Sequence, residues 1–99
     1  MQTKTNEMGA GEYLRLLRIE KGLSQKELAD ALGVDFTLIS KIELGERSLS
    51  LDMIPNLAKA LKTDFKALQI DLMAFRVAEQ YGGEEFASEA IQKALKHIG

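Results

Sequence analysis

Apolar residues recur at helical spacing along most of the chain, and short polar or glycine-containing breaks separate the segments. Between residues 10 and 21 the apolar side chains repeat at helical spacing, which predicts an amphipathic helix that ends at Gly22. Ser24 and Glu27 then have the Ser-x-x-Glu spacing of a capping box, so a second helix is predicted to begin there. Gly33 is its predicted end, because the residue just past a helix often needs a positive φ.

A third helix is predicted to start at Asp35, whose carboxylate can cap it, and to stop at Gly45. Its inward positions are Ile39 and Ile42. Four residues fall on other faces of this helix: Thr37, Ser40, Lys41 and Leu44. A short helix that few apolar contacts hold, and whose start points outward, suits insertion into a DNA groove.

The second half of the chain predicts three more helices, with no alternating strand pattern, so the fold class is all-α. Ser50 is expected to cap the fourth helix. Pro55 falls too deep in that helix for a first-turn proline, so we expect the helix either to bend or to start late. Thr63 or Asp64 is expected to cap the fifth helix.

A pair of glycines at residues 82–83 separates the fifth helix from the last one. The expected buried positions of the fourth helix are Leu51, Ile54, Leu57, Ala58 and Leu61. Those of the fifth helix are Phe65, Leu68, Leu72, Phe75 and Ala78. The final helix is predicted to carry an apolar stripe made of Phe86, Ala87, Ala90, Ile91, Ala94, Leu95 and Ile98.

Three parts are expected along the chain. Residues 1–9 are polar and unpatterned, which predicts a flexible N-terminal arm, and residues 10–69 form the main domain. Residues 70–99 form a C-terminal helical extension with more apolar side chains than one small domain needs. We expect this extension to fold back on the first helix, where Tyr13, Leu16 and Ile19 would pack beneath it, or to form a dimer or partner interface, or to do both.

Composition narrows the class of protein further. A length of 99 residues allows one domain, and the absence of cysteine excludes disulfides and thiolate metal sites. No apolar run is long enough for a membrane span, so a soluble cytoplasmic protein is expected. The formal charge is −2, and residues 24–47 carry three basic and five acidic residues. This balance argues mildly against nucleic-acid binding unless the fold segregates the charges.

Catalytic constellations are absent from the sequence. His97 is the only histidine and is expected in the last turn of a helix, where a cation is favourable. The glycine pair at residues 82–83 lacks the strand and the lysine of a phosphate-binding loop. We therefore predict no catalytic residue, no cofactor and no metal site.

Several short motifs occur in order between Leu14 and Leu61, namely KGLSQKELA, LGV, ISKIELG and LAKAL. Together they resemble the helix-turn-helix domain of the XRE, or lambda-repressor-like, family, and the resemblance extends to Leu68 if the fifth helix is included. It implies a five-helix lambda-repressor-like DNA-binding domain, with the C-terminal helix or helical hairpin as an addition. It also implies that the partner is double-stranded DNA.

The resemblance also implies roles for particular residues. Gln25 matches a family position that hydrogen-bonds a DNA phosphate, and Arg47 matches a phosphate-contact region. The positions that face bases are Phe36, Thr37, Ser40 and Lys41. Arg18 and Glu43 match an ion pair that joins the first helix to the third.

Three positions depart from the family pattern. Phe36, Leu38 and Leu44 stand where amides or arginines are frequent. A phenylalanine can contact a thymine methyl but cannot hydrogen-bond a base edge. The alternatives are that Phe36 turns inward to cover the core and that the polar site residues are ordinary solvated side chains.

The leading hypothesis is a sequence-specific transcriptional regulator, a dimeric repressor that binds a palindromic operator through the helix starting at Asp35. One alternative is an antitoxin that autoregulates its operon and binds a toxin through the C-terminal helices. Another is a protein-interaction module that has lost DNA binding, in line with the acidic balance, Phe36 and Leu44.

Overall fold

The computed structural model describes residues 9–98, and all the regular elements among them are helical. The helices are α1 (Ala10–Glu20), α2 (Gln25–Leu32), α3 (Phe36–Glu43), α4 (Ile54–Leu61), α5 (Phe65–Tyr81) and α6 (Ala87–Leu95), with a short 3-10 turn at Leu51–Met53. The predicted all-α class is confirmed. Nearly all of the expected N-terminal arm, residues 1–9, lies outside the described residues. Within residues 9–98, no helix combines the length and the apolar character that crossing a bilayer requires.

Side chains fix the start of α2 and of α3 as the sequence predicts. The Ser24 hydroxyl accepts a hydrogen bond from the Glu27 amide at 3.0 Å, and the Glu27 carboxylate accepts one from the Ser24 amide at 2.8 Å. Asp35 caps α3 by accepting from the Thr37 amide at 3.0 Å. Between the two helices Gly33 has a φ of 71°, a conformation that glycine adopts without a Cβ penalty. These local bonds set the sharp turn from α2 to α3.

One core holds the first five helices together. Each contributes a side chain that is at most 2% exposed: Leu14, Leu28, Ile39, Leu57 and Leu68. Burying a leucine or isoleucine side chain stabilises the fold by about 1.5–3 kcal/mol. The buried positions predicted from the spacing of α3, α4 and α5 include Ile39, Leu57 and Leu68, so that spacing identifies the inward side of these three helices.

The start of α4 differs from the expected one. The 3-10 turn at Leu51–Met53 comes first, and α4 begins only at Ile54. Pro55 therefore lies in the first turn of α4, where a missing N–H breaks no helical hydrogen bond, so its expected position deep in the helix was wrong. The late start is confirmed. Leu51, expected to be buried, is 42% exposed because it precedes the helix.

Helix α5 is the long helix, and it packs against both α4 and α1. Asp64 caps it by accepting from the Ala67 amide at 2.8 Å. Leu68 and Leu72 are buried as predicted, whereas Phe65 and Ala78, expected on the same face, are exposed. The reason is that α5 is longer than the core it covers, so its first and last turns extend beyond the core.

The fold-back of the extension on α1 is limited to α5. The rings of Tyr13 and Phe75 have their centroids 4.9 Å apart, and the Tyr13 hydroxyl donates to Asp71 at 2.8 Å. Leu16 and Ile19, expected beneath the C-terminal helix, are exposed. That expectation was wrong because they lie farther along α1 on a face that α5 does not cover.

Helix α6 is shorter and more exposed than its apolar stripe predicts. It buries none of its residues, and only Ala87 is half-buried. Phe86 precedes the helix with a φ of 66°, and Ile98 follows it, so neither continues the helical stripe as expected. Helix α6 therefore leaves its apolar side chains in solvent in a single copy of the chain.

Candidate nucleic-acid interface

Helix α3 has one face in the core and the opposite face in solvent. Ile39 and Ile42 are buried, and successive helical residues turn by about 100°. At that spacing the positions opposite Ile39 and Ile42 are those of residues 37, 40, 41 and 44, and Ser40 alone among these four is half-buried. The surface made of Phe36, Thr37, Ser40 and Lys41 is here called the reading face.

Phe36 is the first residue of α3, and its side chain is 53% exposed. The alternative in which it turns inward to cover the core is therefore wrong. Thr37 and Lys41 are exposed as well. At the start of α3 the Thr37 amide donates its hydrogen bond to the Asp35 carboxylate.

Gln25 on α2 contacts the C-terminal end of α3. It is the first residue of α2 and is half-buried. Its side-chain nitrogen donates a hydrogen bond of 3.0 Å to the Glu43 carboxylate at the end of α3. The family resemblance implies a phosphate contact for Gln25, whereas its bond to Glu43 depends on how α2 and α3 cross, which no local pattern encodes.

Arg18 and Glu43 form a buried ion pair between α1 and α3, as the family resemblance implies. The Arg18 Nε and Nη2 atoms donate to the two Glu43 oxygens at 2.7 and 3.0 Å, and Nη1 donates to the Leu23 carbonyl at 2.7 Å. The hydrogen bond to Glu43 raises the pKa of Arg18, although burial opposes this. Removing one partner of such a pair leaves an uncompensated buried charge, which is strongly destabilising.

Arg47 lies in the exposed loop that follows α3. It lines an open cavity of about 260 Å³ together with α5 residues Arg76 and Glu79. Arg76 Nη1 lies 3.5 Å from the Leu49 carbonyl, and Glu79 accepts a 2.7 Å hydrogen bond from the Ala10 amide. The sequence pattern does not indicate these two α5 residues, because only the tertiary packing of α5 brings them to the loop and to the start of α1.

The acidic balance of residues 24–47 looks different in three dimensions. Four of the five acidic side chains remain exposed and keep their charge, namely Glu27, Asp30, Asp35 and Glu46, whereas Glu43 is buried. Glu43 is paired with Arg18, which lies outside this stretch, so its charge is compensated in the interior. The exposed surface around α3 is thus less acidic than the residue count indicates.

Comparison with known proteins agrees with this geometry. The helix-turn-helix family model matches residues 14–68, more than half of the chain. A hypothetical transcription factor from Neisseria meningitidis serogroup B is 42% identical over 48 residues. These residues are 48% of this chain and 45% of that protein, so the match spans about half the length of the curated relative.

Two crystal structures share the fold. The restriction-modification controller protein C.AhdI from Aeromonas hydrophila is 42% identical with a TM-score of 0.55, over 60% of this chain and 86% of that one. The hypothetical transcription factor NHTF from Neisseria is 35% identical with a TM-score of 0.54, over 61% of this chain and 69% of that one.

A domain in which a sharp turn joins α2 to α3, and α3 exposes the side opposite its buried isoleucines, is a helix-turn-helix domain. The chain belongs to the helix-turn-helix family, of the XRE or lambda-repressor-like type, whose members are DNA-binding regulators of transcription. The lambda-repressor-like fold predicted from the sequence is confirmed.

Proposed function

We propose that this protein is a sequence-specific transcriptional regulator that inserts α3 into the major groove of DNA. The observation that carries the proposal is the reading face, where Phe36, Thr37 and Lys41 are exposed and Ser40 is half-buried on a helix whose other side packs in the core. Lys41 can donate to guanine O6 and N7, and Phe36 can contact a thymine methyl. Gln25 at the start of α2 and Arg47 in the loop after α3 supply phosphate contacts that set its register.

The active form in this proposal is a homodimer. Four exposed apolar residues follow one stripe along α5, here called the outer face: Ile70, Met73, Val77 and Tyr81. At about 100° per residue this stripe lies opposite Leu68 and Leu72, which pack in the core. A helix that is apolar on two opposite sides buries one in its own domain and the other against a partner. A two-fold dimer through this face and α6 would present two copies of α3.

Such a dimer would bind a palindromic operator. The two recognition helices of a helix-turn-helix dimer enter the major groove about 34 Å apart, one helical turn of DNA. One monomer offers few base contacts, and joining two of them raises affinity through effective concentration. We propose repression by occupancy of an operator that overlaps a promoter, in the cytoplasm of a prokaryotic cell.

The experiment that tests the proposal is selection of bound sequences from random duplex DNA, followed by affinity measurements at increasing salt. We expect one enriched palindrome and an affinity that falls steeply with salt, because phosphate contacts release counterions. Binding that enriches no sequence would overturn the sequence-specific regulator, and no binding at low salt would leave the protein-interaction module as the function.

A narrower candidate is a controller of a restriction-modification operon. The likeness to C.AhdI, at 42% identity over 60% of this chain, favours it. A methyltransferase gene and an endonuclease gene beside this one, with the selected palindrome upstream of them, would support this role. A neighbouring gene for a small basic protein that co-purifies with the chain would instead support the antitoxin alternative.

A further inference from the structure

The carboxylate of Glu43 determines which way the Gln25 amide points. The Gln25 Nε2 atom lies 3.0 Å from Glu43 Oε1. An ionised carboxylate only accepts hydrogen bonds, so the nitrogen of the amide, and not its oxygen, must face Glu43. The Gln25 carbonyl oxygen and the second N–H of its amide therefore point away from Glu43.

Glu43 is itself held in one place. Its side chain is 2% exposed, and Arg18 grips both of its oxygens, at 2.7 and 3.0 Å. The Arg18 guanidinium is a rigid planar fork, and its remaining contact is the Leu23 carbonyl at 2.7 Å. Glu43 Oε1 thus accepts from two donors, Arg18 on α1 and Gln25 on α2, and its own position is fixed by the first.

Gln25 is also the first residue of α2, where backbone N–H groups have no partner within the helix. A phosphate at this helix start would meet the backbone N–H groups and the free amide N–H of Gln25 together. A glutamine side chain that moves freely loses rotamer entropy when it binds, whereas one already held loses less.

We propose that Glu43, supported by Arg18, is a positioning residue that fixes the Gln25 amide for contact with a DNA phosphate before DNA arrives. This inference rests on the proposed DNA-binding function and adds to it a link from α1 to the DNA surface. Glu43 itself is buried and does not touch DNA.

The test is a double-mutant cycle in affinity for the selected operator. Gln25→Ala is measured in the parent chain and in the variant Arg18→Met with Glu43→Leu. An apolar pair is chosen because it replaces both charges and keeps the domain folded, whereas removing one charge alone destabilises it. Thermal unfolding of each variant verifies that affinities are compared between folded proteins.

We expect Gln25→Ala to weaken binding about three- to tenfold in the parent, the loss of one well-placed hydrogen bond. In the apolar-pair variant the same change should alter affinity by less than about twofold, because Gln25 is no longer held. An equal loss in both backgrounds would overturn the proposal and leave the ion pair with a role in stability alone.

Nuclear magnetic resonance of the free protein gives a readout that does not depend on DNA. The side-chain NH2 signals of Gln25, assigned by their loss in Gln25→Ala, should be shifted and slow to exchange with solvent in the parent. They should move to the positions of the exposed Gln80 in the apolar-pair variant. Solvent-like Gln25 signals in the parent would contradict the anchoring by Glu43.

The two readouts separate the possible failures. If the parent binds no DNA but its Gln25 signals are protected, the proposed function fails and the positioning role fails with it. If the parent binds its operator and the cycle shows no coupling, only the positioning role is wrong.

Discussion

Among single residues, Gly11 is the one at which α1 packs tightly against the end of α3. A Cβ atom built on it would overlap the carbonyl oxygen of Ile42 and lie 2.8 Å from that of Glu43. Backbone atoms cannot move aside as the end of a flexible side chain can. The absence of a side chain at Gly11 therefore lets α1 approach the end of α3.

Gly11→Ala should destabilise the domain by about 1–3 kcal/mol, since overpacking forces backbone shifts. The measurement is urea unfolding followed by circular dichroism. Gly83→Ala is the matched control, because a Cβ there meets no atom within 4 Å. Equal midpoints for Gly11→Ala and the parent would show that the helices separate at little cost.

Tyr13 makes stability depend on pH in the alkaline range. Burial, and secondly its hydrogen bond to Asp71, raises the pKa of Tyr13 from 10.0 to about 12. The folded state then holds the phenolic proton more tightly than the unfolded state. The protonated Tyr13 therefore makes its full contribution to the free energy of unfolding below pH 10. This contribution is lost as the pH rises through 12. Spectrophotometric titration should show a tyrosine with a midpoint near 12 that Tyr13→Phe lacks; parent and variant curves of the same shape would contradict this.

The roles of side chains that bond residues close to them in sequence could be predicted. The Ser24 and Asp35 caps follow from spacing alone, because each bonds an amide two or three residues later. Gly11 and the bond from Gln25 to Glu43 were not predictable, since both depend on the angle at which helices cross. The Arg18–Glu43 ion pair was implied by the family resemblance and could not be predicted from residue spacing alone.

At the scale of elements, α3 is only eight residues long and depends on its cap and on two buried isoleucines. The Asp35 carboxylate that caps it also brings a negative charge to the surface proposed to meet DNA. The cap stabilises the helix and at the same time repels phosphate. These two effects can be separated by substitution.

Asp35→Asn should keep the cap and remove the charge, because asparagine caps about as well as aspartate. We expect the free energy of unfolding to be unchanged. The affinity for the operator at low salt should be about two- to fivefold higher. Asp35→Ala should lose about 1 kcal/mol in the free energy of unfolding. Glu85→Gln, between α5 and α6, controls for net charge, and an equal gain from it would mean that no local repulsion exists.

Element boundaries were less predictable than element types. The sequence indicates six helices but extends the fourth and sixth too far. In both cases apolar residues next to the helix share its spacing without belonging to it, as Leu51 and Phe86 do. Periodicity records which residues are apolar, and the start of a helix is decided by backbone geometry such as the positive φ of Phe86.

The whole molecule is more extended than one compact domain. Its radius of gyration is 14.7 Å, against about 13 Å for a compact domain of 100 residues. The excess agrees with an extension in which α6 is exposed and α5 keeps its outer face free. The sequence indicated surplus apolar residues there, but a single chain has too little core to bury them.

Val77→Asp should convert the proposed dimer into a monomer that remains folded, because Val77 lies in the middle of the outer face and outside the core. Sedimentation equilibrium measures the mass, and affinity for the palindrome should fall at least about a hundredfold with the loss of bivalency. Ala31→Asp, an exposed position on α2, adds the same charge as a control. A parent protein that sediments as a monomer would rule out the dimer.

The central claim is that the exposed side of α3 reads bases, and sequence selection with variants of that side tests it most directly. Random duplex DNA is selected with the parent, with Thr37→Ala, with Lys41→Ala and with Lys26→Ala, an exposed lysine on α2, as the control. The account predicts that Thr37→Ala and Lys41→Ala each relax the preference at particular base pairs by about 1–3 kcal/mol of discrimination, while Lys26→Ala enriches the same palindrome as the parent. Identical enriched sequences from all four proteins would contradict base reading by α3.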